Sequence, residues 1–70
     1  MGHRVGIIFS GARADHHIFS PSMDFEEASG EFRAIRRLID EGGEVIRNWA
    51  HIPAGAVIAI HVMEDGDQPA

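Results

Sequence analysis

Asp24-Phe25-Glu26-Glu27-Ala28-Ser29-Gly30-Glu31-Phe32-Arg33-Ala34-Ile35-Arg36-Arg37-Leu38-Ile39-Asp40-Glu41-Gly42-Gly43 is the stretch that decides the fold. Phe25, Ala28, Phe32, Ile35 and Ile39 recur at alternating spacings of three and four, and Leu38 widens the stripe. That period is helical, and it predicts one apolar face laid on a sheet. Asp24 is placed to cap the helix, and Glu27 stands at the capping-box distance from it. Acid in the first turn also suits the positive end of the helix dipole. Gly42-Gly43 supplies the stop, because glycine adopts the left-handed conformation that closes a helix.

Working outward toward the N-terminus, Arg4-Val5-Gly6-Ile7-Ile8-Phe9-Ser10 has strand composition, with Val5, Ile7 and Phe9 on one face. Gly11–Asp15 reads as a turn and His16–Phe19 as a second, short strand, which together predict an antiparallel hairpin. Ser20-Pro21-Ser22 stops it. On the C-terminal side, Glu44–Ile52 is ambiguous. Val45, Ile46, Trp49 and Ile52 carry strand propensity at a spacing that also fits a helix. Gly42-Gly43 before it and Pro53-Ala54-Gly55 after it favour one strand. Ala56–Met63 is a further strand, with Ile58, Ile60 and Val62 on one face and Val57, Ala59, His61 and Met63 on the other. Neither face is polar, which predicts a central position.

The expected fold is therefore α+β: ββαββ, a single helix packed on a small, mostly antiparallel sheet of four strands. Residues 1–63 form the single domain, and 64–70 an acidic, frayed tail. One helix covers one sheet face. The other face, with its leftover apolar residues, must meet something else.

Composition narrows the function. At 70 residues the chain can bury only a small core, and with no cysteine it has neither disulfides nor thiolate metal sites to support one. Self-association, most simply a homodimer, is the expected remedy. The longest apolar run, Ala56–Ile60, is far too short for a bilayer, and Met1–Val5 lacks a cleavable signal pattern. A cytoplasmic location without a membrane partner is expected. All six cations are arginine, and the net charge is −5. The acidic excess argues against nonspecific nucleic-acid binding, which depends on neutralising phosphates.

Several constellations invite a chemical reading. Asp15-His16-His17 spells the signature tripeptide of the DHH phosphoesterases, which the match resembles in three residues only. That family holds its metals in a much larger two-domain enzyme, and 70 residues leave no room for its other motifs. As a bare metal site the tripeptide is poor, since adjacent strand histidines point to opposite faces. Five histidines are present (His3, His16, His17, His51, His61), yet no pair is forced together by spacing, so no metal and no cofactor is assigned. Serines beside histidines lack an orienting acid and an oxyanion hole on a rigid frame, and no enzyme is expected. The glycines follow no phosphate-loop spacing.

The partner-binding candidates are Arg33, Arg36, Arg37, Arg47 and Trp49. On the helix Arg36 and Arg37 can pair with Asp40 and Glu41 at i,i+4, which is the plain explanation for them. Trp49, with Arg47 and His51 nearby, has the composition of a binding hot spot as well as of a core residue.

The lysine-free composition and the run Trp49-Ala50-His51-Ile52-Pro53 leading into Ala56-Val57-Ile58 resemble small uncharacterised proteins of phages that infect GC-rich actinobacteria. The resemblance implies a non-enzymatic binder or modulator of a host or phage protein. The function expected is thus a small protein-interaction module that self-associates through its sheet. The alternatives are a dimeric nucleic-acid-binding regulator using the arginine cluster, and a metal or hydrolytic role for Asp15, His16 and His17.

Overall fold

A computed structural model describes residues 2–65. Strand β1 (His3–Ser10) turns into β2 (Asp15–Phe19), and helix α1 (Phe25–Asp40) follows. Strands β3 (Val45–Arg47), β4 (Ala50–Ile52) and β5 (Val57–Glu64) complete the order. The architecture is α+β, one helix against a small antiparallel sheet, as the patterning predicts.

The helix ends where its capping residues place them. The Asp24 carboxylate accepts the Glu27 backbone N–H at 2.8 Å. At the other end Gly42 takes φ +75°, its N–H donates to Ile39 O, and the Gly43 N–H donates to Leu38 O. These two bonds form a Schellman closure that satisfies carbonyls the last turn leaves open. Ala28 and Ile35 are fully buried, with Phe32 and Ile39 packed at their flanks. Phe25 departs from the expected stripe and is 61% exposed. It is the first helical residue, and its ring meets the His3 ring at the start of β1 edge-on.

The sheet has three strands in the order β2-β1-β5, all antiparallel, with β1 in the centre. The expected four-stranded sheet with a central last strand is corrected: β5 lies at an edge. Val5, Ile7 and Phe9 face the helix, with Ile60 and Val62 beside them on β5. A register shift between Ile8 and Phe9 leaves Ile58 without a partner on β1. This bulge inverts the phase of the strand, because one extra residue exchanges the two faces. Val57 therefore joins the core side opposite Phe9, and Ile58 stands 56% exposed, the reverse of the simple alternation.

Residues 44–52 are not one strand but a separate hairpin. Three pairs, Val45↔Ile52, Ile46↔His51 and Arg47↔Ala50, flank a two-residue turn at Asn48-Trp49. Val45 and Ile52 are buried in the core, whereas Ile46 is 59% exposed. Neither turn residue has positive φ, so the turn lacks the twist that prolongs hairpins, and pairing stops at three residues a side.

Ser20 is the one fully buried polar residue of the described chain. Its Oγ accepts the Val5 N–H at 2.9 Å and donates to Pro21 O at 2.9 Å, which extends the β1–β2 ladder past Phe19. The chain then returns along β1 through a bridge between Met23 and His3. Strand β5 reaches Glu64, one residue beyond the expected domain end. Asp65 is held by the Arg4 guanidinium at 2.8 Å and by the Ser22 hydroxyl, so the expected frayed tail does not begin at 64. Positions 66–70 of that tail lie outside the described residues.

Candidate functional site

Helix and hairpin lie on one side of the sheet, and among the described residues no helix or strand covers the other side. Alternation along β1 places Arg4, Gly6 and Ile8 on this open face. Their cross-strand partners share it: Phe19 and His17 from β2, and Met63, His61 and Ala59 from β5. Gly6 is the centre, flanked by Phe19 and His61.

The absence of a side chain at Gly6 has a direct consequence. An added Cβ would lie 2.4 Å from His61 Nε2 and 3.1 Å from His17 Nε2. The two imidazoles lean across the middle strand into that space, and their Nε2 atoms approach to 2.8 Å. One ring donates to the other, which requires at least one to be neutral. The Phe19 ring packs at 4.4 Å from His17 and 6.3 Å from His61, walling the pair on one side. Burial, and then the neighbouring His17, hold His61 below its ordinary value of 6.5. The pair presents polar nitrogens within an apolar surround of Ile8, Phe19, Ala59 and Met63. The face carries Arg4 beside Met63, and that charge is matched by Asp65.

The Asp15-His16-His17 tripeptide is split between faces, as adjacency on a strand dictates. His16 lies against Phe9 at 5.3 Å, whereas His17 meets His61. Asp15 pairs with Ser10 at the end of the hairpin. His51 is bound to Glu44 at 3.0 Å. Among the described residues, no three histidine or carboxylate side chains converge on a point where a metal ion would sit. Sequence reasoning missed the His17–His61 pair, whose members are 44 positions apart. The available signal was a glycine in the middle of an otherwise bulky strand, which marks a close approach.

The arginine and tryptophan candidates are spread over two places. Arg36 pairs with Asp40 at 3.4 Å and Arg37 with Glu41 at 3.9 Å, both on the solvated side of α1. Arg33 borders a shallow hollow of about 470 Å³ with Phe25, Glu26 and Ser29. Arg47 and Trp49 instead turn inward. The Arg47 guanidinium lies 3.1 Å from the Glu31 carboxylate, and the Trp49 indole N–H donates to the same oxygen at 3.3 Å. Glu31 thereby ties the hairpin tip to the helix, and the five residues do not form one surface.

The class these features define is a two-layer α+β domain in which, among the described residues, one sheet face is covered and the other is not. No family model, curated protein or solved structure matches the chain. No described helix is long and apolar enough to cross a membrane.

Proposed function

We propose that this chain is a non-enzymatic protein-interaction module that self-associates through the open face of its sheet, two copies packing face to face. The observation that carries this reading is the open face itself: Ile8, Phe19, Ala59 and Met63 surround the His17–His61 pair. Apolar surface of this kind is what monomeric soluble proteins usually cover. Charge sets where two copies can meet. The chain carries a net charge of −5, so two copies repel over most of their surfaces. The open face, whose Arg4 is already matched by Asp65, is where they meet at least electrostatic cost. A two-fold contact also suits a patch that must be complementary to itself. Engagement of a host protein, as the phage-like composition implies, would use surface outside this contact, with Arg33, Arg36 and Arg37 the exposed candidates.

Light scattering across micromolar concentrations tests the reading. The expected mass is twice the 7.7 kDa chain, and Ala59→Glu, an exposed position on the open face, should return it to the monomer without unfolding. A wild-type mass of 7.7 kDa at every concentration overturns the proposal.

A further inference from the structure

We infer that His17 and His61 form half of a binding site for a late first-row divalent cation of the Zn²⁺ type, completed by the same two histidines of a second copy. The inference rests on self-association through the open face, and adds to it a ligand and a stoichiometry.

The geometry leads there in steps. Two imidazoles on strands separated by β1 converge through Nε2, the atom farthest from the backbone, and Gly6 leaves the space between them clear. Imidazole nitrogen suits zinc, copper and nickel, and this chain has no cysteine to compete for them. Two nitrogens bound to one tetrahedral ion at 2.0–2.1 Å stand about 3.3 Å apart. The pair is at 2.8 Å, so a half-ångström parting of two surface rings opens the seat. The ring whose Nε2 bears the hydrogen moves it to Nδ1, and both lone pairs then face the ion with no change of charge on the rings.

One chain supplies only these two ligands among the described residues. A structural zinc ion takes four. Sheets that pack face to face lie about 10 Å apart, which puts their midplane about 5 Å above each backbone, within reach of a histidine plus one metal bond. An ion on the two-fold axis would then receive two nitrogens from each copy.

Zinc titration of the untagged protein against a chromophoric chelator, with sedimentation in zinc and in EDTA, tests this. The expected result is one zinc per two chains in a dimer, with binding lost in His17→Ala and in His61→Ala and retained in His51→Ala. Zinc held equally by all four proteins, or by none, overturns the inference. A dimer that persists in EDTA and takes no zinc at the pair sinks the metal site while leaving self-association standing. Zinc bound through His17 and His61 in a particle of single-chain mass overturns the two-copy site, and self-association with it.

Discussion

At the scale of single residues, Gly6 sets the character of the open face. A methyl group there would meet the tip of the His61 ring, the mobile end of a side chain, and not backbone. The ring can therefore swing away, and Gly6→Ala should change stability by less than about 1 kcal/mol, the scale of a glycine-to-alanine exchange within a strand. Its effect should appear in the histidines. With the rings parted, His61 becomes more exposed and loses His17 as a neighbour, so its pKa should rise toward 6.5. NMR titration of the imidazole protons reads this directly, and an unchanged His61 midpoint would show that the contact across Gly6 is not what lowers it. Ser20 illustrates the opposite case, a polar side chain used wholly within the fold because Val5 N–H needs an acceptor where the chain leaves the strand.

At the scale of elements, α1 holds the domain together through a few side chains of unequal weight. Ile35 is fully buried beside Val5, Ile7, Val45 and Ile52, so it joins helix, sheet and hairpin in one cluster. Ile35→Ala should cost about 2–5 kcal/mol, a large part of the stability of so small a domain. Phe25, on the same sequence stripe, is largely in solvent, and Phe25→Ala should shift the melt far less. Thermal melts of the two variants side by side decide between them; equal losses would mean that Phe25 is packed after all. The hairpin depends on Val45 and Ile52 for burial, and on Glu31 for the attachment of its tip.

Across the whole molecule, two groups tie stability to pH in separate windows. His61 has its pKa lowered, first by burial and then by His17, so the folded chain takes up that proton at lower pH than the unfolded chain. Above its ordinary 6.5 both states are neutral there; as pH falls below 6.5 through the lowered value, stability declines. Asp65 is lowered from 3.8, chiefly by the Ser22 hydroxyl and further by Arg4, against partial desolvation. Its contribution is complete above 3.8 and disappears as pH falls through the lower folded value. Denaturant melts from neutral pH to about pH 2 should therefore show two steps of loss. His61→Gln should remove the upper step and Asp65→Asn the lower. A single step unaffected by either variant would contradict both assignments.

The sequence alone determined what short-range physics controls. The Asp24 cap, the Phe32–Ile35–Ile39 stripe and the Gly42-Gly43 stop bounded the helix, since capping and period act within a few residues. The propensities of Val5–Phe9 and Val57–Met63 likewise made those segments strands, and one helix with a small antiparallel sheet followed. Only the tertiary structure decided the rest. The 44–52 segment was ambiguous because its spacing of three and four came from a hairpin turn between Val45 and Ile52, not from helical period. The exchange of Val57 and Ile58 depended on a bulge opposite Phe9, which is a property of two strands and of neither alone. Arg47 and Trp49 were drawn inward by Glu31, on another element. His17 and His61 met over Gly6 because two antiparallel registers placed all three on one row, and register follows from the folded pairing of distant segments.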